Sequence, residues 1–238
     1  MTGFADDPMI RQLCDQTDLL LASVARLDAA AAHAPSLLPG WTRGHVLTHL
    51  ARNADGFANV ARSAVTGDVV PMYASVAQRD ADIDAGAHRR VAELEADVES
   101  SAERLLALLA DVPKDVLDVG VPSGRGTDVR VGDLPWLRTR EVVYHHVDLG
   151  AGFTFADVPD VLLRTGLEEC VGRLAGTSPG ATVRCTYRDG STQELAIGDG
   201  ATKVEGTASD VLAWLTGRSD GEGLTCADGA LPALPSWG

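Results

Sequence analysis

The 238-residue chain holds only four cysteines, Cys14, Cys170, Cys185 and Cys226, and no Cys-x-x-Cys pair. Cysteines so widely scattered exclude a disulfide framework and a cysteine zinc knuckle, and they fit a reducing compartment. None has a flanking cue for a nucleophile, so all four read as small buried hydrophobes. Basic residues are also scarce: 20 Lys and Arg against 34 Asp and Glu leave a net charge of -14. Nothing there supplies the dense basic patch that grips phosphates, so nucleic acid is excluded as a partner. An anionic substrate would need a local arginine set against the general field. No apolar run approaches the ~18–20 residues needed to cross a bilayer, which excludes a membrane-spanning segment. The start, Met-Thr-Gly-Phe-Ala-Asp-Asp, lacks the basic and apolar regions of a signal peptide, so a cytoplasmic location is expected. Ser-His-Asp order, a Walker loop and a G-x-G-x-x-G fingerprint are missing too.

What is present is an ordinary globular composition, 45% hydrophobic and 23% charged. Leu13, Leu20, Val24 and Leu27 recur near a 3.6-residue period, which predicts one long amphipathic helix over about 7–32. Pro35, Pro39 and Gly40 then force a loop. Thr42 is placed to cap a second helix running from Arg43 to about Val65, with Trp41 packing on Val46 as a hydrophobic staple and Gly67 as the stop. The stretch after Pro71 is polar and reads as a turn. Leu94, Val98, Ala102, Leu105 and Leu109 stripe a third helix that Pro113 closes. Short valine-containing runs flank Pro122, Gly124 and Gly126, the pattern of a hairpin or irregular loop. Asp133 is placed to cap a fourth helix, with Pro135 in its first turn and Gly150 beyond its end.

These helices predict an antiparallel four-helix bundle over residues 1–152. Residues 153–238 read as a small α/β domain, making the whole an α+β protein. A helix over about 158–174 precedes alternating runs at 181–188 and 192–197 around an Asp189-Gly190 turn. A third strand begins at Thr202. Ser209 or Asp210 then opens a short helix through Trp214, ended by Gly217.

Two helical patches carry the chemistry: His45-Val-Leu-Thr-His49 and Glu141-Val-Val-Tyr-His145. Each sets two candidate ligands four residues apart, on one helical face. Bundles build metal sites from such inward-projecting side chains, and imidazole with carboxylate suits a zinc-like ion with one position left open. His49 sits between Val46 and Leu50, with Asn53 one turn on, and so points inward. A lone histidine there is more often a core residue bonded to a backbone carbonyl, and Glu141–His145 alone is more often a surface pair contributing ~0.2–0.5 kcal/mol. The joint pattern shifts the balance. The Glu141–His145 stripe extends to Asp148 beside Leu134 and Leu137, where burial is costly unless the groups are paired or metal-bound. His146 is rotated about a hundred degrees off that line. Arg218, in the glycine-bounded run Thr216-Gly-Arg-Ser-Asp-Gly221, can grip a carboxylate in bidentate fashion, although a loop arginine pairing with Asp220 fits equally. Arg43 and Arg79 have weaker claims.

At these residues the chain resembles a known family. Leu38-Pro-Gly-Trp-Thr-Arg-Gly-His-Val-Leu-Thr-His-Leu-Ala-Arg-Asn-Ala54 and Arg138-Thr-Arg-Glu-Val-Val-Tyr-His-His-Val-Asp-Leu-Gly150 resemble the two metal segments of the mycothiol-dependent maleylpyruvate isomerases. Pro71-Met-Tyr and Gly217-Arg-Ser-Asp-Gly221 match in place, so the similarity spans nearly the whole chain. The resemblance implies a DinB-like bundle with a small C-terminal α/β domain and a divalent ion, usually zinc, on His49, Glu141 and His145. It demotes His45 and His146 to neighbours and puts the essential arginine at Arg218. It also implies mycothiol as thiol cofactor, a small dicarboxylate substrate, and a place in aromatic ring-cleavage catabolism. The implied reaction is thiol addition to a cis double bond, rotation about the resulting single bond, and elimination to the trans product. Because the sulfur belongs to mycothiol, the protein needs no nucleophilic cysteine. Two other readings compete: a mycothiol S-transferase acting on other electrophiles, and a non-catalytic DinB-like binding module.

Overall fold

Asp7 and Pro8 start the chain's first helix: the Asp7 carboxylate accepts from the Met9 amide at 2.8 Å, and proline occupies the first turn, where its missing N–H costs nothing. The computed structural model describes residues 3–123, 126–177, 180–227 and 229–235. This helix, α1 (Pro8–Val24), ends earlier than its periodicity predicts. Asp28 adopts an extended conformation and accepts from the Ala31 amide at 2.7 Å, capping a separate short helix, α2 (Ala29–His33). An aspartate favours this capping role over a helix interior, which splits the expected single helix in two.

The second predicted helix forms as α3 (Arg43–Thr66), with the Thr42 hydroxyl accepting from the His45 amide and Gly67 closing it at φ 79°. The polar stretch after Pro71, read as a turn, instead folds into α4 (Val76–Gly86), capped by Ser75. It contributes Ile83 alone to the buried set, so its apolar stripe was too thin to see. The end of α4 comes very close to the start of α3: a Cβ on Gly44 would lie 2.1 Å from the Ala87 carbonyl oxygen. The striped helix is α5 (Val91–Asp111), which packs along α3.

The hairpin is real but short: β1 (Gly120–Pro122) pairs antiparallel with β2 (Asp128–Arg130). Gly124, one of its predicted turn residues, lies outside the described residues. The fourth predicted helix, α6 (Leu134–Asp148), packs against α1 and α3. Asp133 does not cap it. Its backbone is already helical (φ -88°, ψ -9°), and its carboxylate is held by Arg130, whose Nε lies 3.1 Å away. The far end of α6 is secured by Arg43, which donates to the carbonyls of Leu149 (2.6 Å) and Gly150 (3.0 Å). A cation at a helix C-terminus satisfies orphan carbonyls and opposes the helix dipole. Arg43 thus has a structural task. Buried Leu47, Leu50, Leu94, Leu105, Leu109 and Leu134 form the heart of the core between these helices.

The chain divides into two compact units, Met1–Gly152 and Phe153–Gly238. In the second, α7 (Asp160–Arg173) precedes β3 (Ala181–Thr186), β4 (Thr192–Ile197) and β5 (Thr202–Thr207). After α8 (Ala208–Leu215) comes the two-residue strand β6 (Thr225–Cys226), giving a sheet of order β4-β3-β5-β6. β3 runs antiparallel to β4, through a turn with Gly190 at φ 79°, and parallel to β5. Alternate residues Ala181, Val183 and Cys185 are buried, as period-two patterning requires. Thr207, not Ser209 or Asp210, caps α8, accepting from the Asp210 amide at 3.2 Å. The cysteine reading holds for buried Cys170 and Cys185, whereas Cys14 and Cys226 are partly exposed. Among the described residues no helix is long and apolar enough to cross a membrane.

Candidate metal centre

The site is built on the facing surfaces of α3 and α6. On α3, the two histidines of the His45–His49 pair take different tasks. His45 is the third residue of the helix, and its ring folds back over the first turn. Its Nδ1 lies 2.7 Å from the Thr42 hydroxyl and accepts from the Thr42 amide at 3.2 Å, closing a capping box. One turn on, His49 is only 4% exposed and points across to α6. The spacing rule treats the pair alike, but a position-three side chain is claimed by the helix end. The Thr42-x-x-His45 spacing was the available signal.

From α6, Glu141 and His145 meet His49. The His49 Nε2 lies 3.0 Å from Glu141 Oε2, and His145 Nε2 lies 3.6 Å from the same oxygen. The two imidazoles stand edge-to-face, with centroids 4.5 Å apart. One ligand atom from each of the three residues lies within 4.8 Å of the others. His146 points elsewhere, to the Ser23 hydroxyl at 2.8 Å. Two imidazole nitrogens and a carboxylate oxygen converging in this way form a donor set suited to a divalent ion.

Each of these side chains is held from behind. His145 Nδ1 lies 2.8 Å from the carboxylate of Asp148, which is fully buried. A carboxylate behind an imidazole fixes its ring and tautomer and raises its basicity. The Nδ1 of His49 accepts from Arg79 Nη2, on α4, at 3.2 Å. Glu141 Oε2 accepts from Asn53 Nδ2 at 3.3 Å, and its Oε1 from Arg140 at 3.3 Å. Behind Asn53 lies Arg138, 1% exposed, whose Nη1 donates to Asn53 Oδ1 and to the Leu50 carbonyl, both at 2.8 Å. The Trp41 ring turns onto the imidazoles of His45 and His49, with centroids 6.1 and 5.7 Å away. Of these outer groups, Asp148 and Asn53 lay on the predicted stripes. The roles of Arg79 and Arg138 had no local signal, because their partners are on other helices.

Electrostatics separates the three candidate ligands. Burial, then the charge of His145, pushes His49 down to about 4, so it is neutral near pH 7. Burial opposes ionisation of Glu141, but hydrogen bonds from His145 and His49 outweigh it and hold the carboxyl well below its usual range. Burial would also lower His145, but Asp148 and Glu141 overcome it and raise its pKa. Tyr73 is raised by burial and by Glu141. Burial pushes Arg138 down to about 10, still a cation at neutral pH, with Glu141 the main opposing influence.

Arg218 belongs to the second unit. It follows Gly217 (φ 69°) in the turn that ends α8, with its amide donating to Ala213 and its Nη1 to the Thr216 carbonyl at 3.0 Å.

Residues 13–150 match the model of the mycothiol maleylpyruvate isomerase N-terminal domain, and residues 157–236 that of the MDMPI C-terminal domain. The chain is similar to the crystal structure of the mycothiol-dependent maleylpyruvate isomerase, with 30% identity, a TM-score of 0.85 and 100% of each chain covered. A histidine-to-alanine mutant of a mycothiol-dependent maleylpyruvate isomerase is similar to the same degree, at 29% identity, TM-score 0.85 and full coverage of both chains. No curated protein matches. With both domain models matched in order and the fold shared end to end, the chain belongs to the mycothiol-dependent maleylpyruvate isomerase family.

Proposed function

We propose that this protein is a mycothiol-dependent isomerase converting maleylpyruvate to fumarylpyruvate, with zinc held by His49, Glu141 and His145. The observation that carries the reading is the convergence of those three donors between α3 and α6. Mycothiol supplies the thiol that makes the cis double bond temporarily single, and a divalent ion in this donor set would lower a thiol's pKa or polarise a substrate oxygen. The chain's own residues prepare for that chemistry. His49 is neutral and can ligate once its single ring proton shifts from Nε2 to Nδ1, Glu141 supplies the negative charge, and Asp148 fixes the direction of the His145 ring. Arg218 is assigned to a substrate carboxylate, where a guanidinium gives a paired, directional grip. That assignment rests on side-chain chemistry and on the resemblance at Gly217-Arg-Ser-Asp-Gly221. Four free cysteines without a disulfide accord with a reducing, cytoplasmic setting.

The test is incubation of purified protein with maleylpyruvate, with and without mycothiol, while fumarylpyruvate is followed. Product should form only with mycothiol, disappear in His49→Ala and after metal chelation, and return when zinc is restored. Arg218→Ala should raise KM for the substrate and leave bound zinc unchanged. A stable thioether in place of fumarylpyruvate would instead make the protein an S-transferase. Metal-free protein that binds no added zinc would remove the metal from the reading altogether.

A further inference from the structure

Arg138 is a cation with 1% of its surface exposed, and among the described residues no carboxylate bonds to it directly. Its Nε and Nη2 make no hydrogen bond among the described residues, so its bonding runs through Nη1 to Leu50 and Asn53. An uncompensated buried charge is among the more costly features a fold can carry. The compensating charge is Glu141, three residues along α6, reached through the side chain of Asn53. Asn53 is itself 3% exposed.

The chemistry of the two ends makes this relay directional. An amide side chain can present either its oxygen or its nitrogen to a neighbour, and the two orientations fill the same space. A guanidinium only donates and an ionised carboxylate only accepts. Arg138 therefore requires the Asn53 oxygen, which forces the Asn53 nitrogen towards Glu141 Oε2. That oxygen is the one on which both His49 Nε2 and His145 Nε2 converge. A bond to the Leu50 carbonyl alone would tie α6 to α3 without any need for a buried amide. We infer that Asn53 and Arg138 form a positioning relay that fixes the orientation of the Glu141 carboxylate as a metal ligand, with Arg138 acting only through Asn53.

The inference rests on the metal reading above. Outer contacts to a ligating carboxylate typically change metal affinity 10–100-fold when removed. The experiment titrates zinc into metal-stripped protein against a chromophoric chelator, for wild type, Asn53→Ala, Arg138→Met and the double variant. Melting temperatures are taken with and without zinc. Asn53→Ala should weaken zinc binding about tenfold or more. Arg138→Met should weaken it as well, and the double variant should be no weaker than Asn53→Ala, because an indirect effect disappears once its intermediary is gone. The rise in melting temperature on adding zinc should shrink in each variant. A merely structural role would lower melting with and without zinc alike and leave affinity unchanged. Zinc affinity of Asn53→Ala within about twofold of wild type overturns the relay, as do effects of the two substitutions that simply add. If Arg138→Met does not fold, Asn53→Ala decides alone. Failure of wild-type protein to bind zinc overturns the metal reading and the relay together, whereas wild-type binding with an unchanged Asn53→Ala overturns only the relay.

Discussion

Zinc loading should expel one proton, and that proton should come from His145. In the metal-free protein Glu141 is ionised and His49, at about 4, is neutral across the working range. His145 carries a raised pKa because it stands between the Glu141 oxygen at 3.6 Å and the Asp148 carboxylate at 2.8 Å. A nitrogen that binds metal must first lose its proton. From about pH 5 up to the pKa of His145, affinity should therefore rise tenfold, or about 1.4 kcal/mol, per pH unit, and level off above it. The sign follows from the raised pKa: below it His145 holds a proton that competes with the ion, and above it none remains to displace. Chelator competition at stepped pH gives the slope, and calorimetry in buffers of different ionisation enthalpy counts the proton directly. Asp148→Asn removes the carboxylate that raises His145 and should flatten the slope near neutral pH. A slope of zero between about pH 5 and 6 refutes the protonated His145, and a slope of two means that His49 is charged as well.

Thr42→Ala removes the hydroxyl that caps α3 and should cost about 1 kcal/mol, or roughly 2–4 °C in melting temperature, with zinc affinity unchanged. Weakened zinc binding in that variant would place His45 in the site instead of in the cap. Gly44→Ala should be more damaging than an ordinary helical Gly→Ala change, because its Cβ would meet the Ala87 carbonyl oxygen at 2.1 Å. A thermal melt showing stabilisation would contradict that close approach of α3 and α4. In native protein Cys14 and Cys226 should react with an aromatic disulfide first. Burial pushes the Cys185 thiol up to about 11, leaving roughly one thiolate in a thousand at pH 8. Mass spectrometry showing early labelling of Cys185 would refute its burial on the inner face of β3.

What the sequence revealed follows the range of the forces involved. Helix α3 was legible from end to end because Thr42 and Gly67 act on their own backbone neighbours. The His49, Glu141 and His145 stripes were legible because i,i+4 spacing is a property of a single helix. The break between α1 and α2 was missed because Asp28 could sit on the polar face of a long helix, and only its extended backbone shows that it caps a new one. Asp133 misled in the opposite way: its position suited a cap, but Arg130 had claimed its carboxylate. The thin stripe of α4 hid the helix that delivers Arg79 to His49. Arg138 carried no local sign at all, since its partners Leu50 and Asn53 lie 88 and 85 residues away in sequence.

The outer contacts also constrain how the inner three can bind an ion. Arg79 can only donate, so His49 Nδ1 must accept, and the single proton of the neutral ring sits on Nε2, facing Glu141. Ligation through that Nε2 requires the proton on Nδ1, where Arg79 now donates. The two states are exclusive: the metal-free arrangement satisfies His49 with Arg79 and Glu141, and a loaded one must release the Arg79 bond. His145 faces no such conflict, because the Asp148 behind it accepts and welcomes a proton on Nδ1. One ligand is thus set in its binding tautomer by a carboxylate, and the other is held out of it by a cation. Moving the His49 proton from Nε2 to Nδ1 releases nothing to solvent, so the count on loading stays at one, and the whole pH dependence falls to His145.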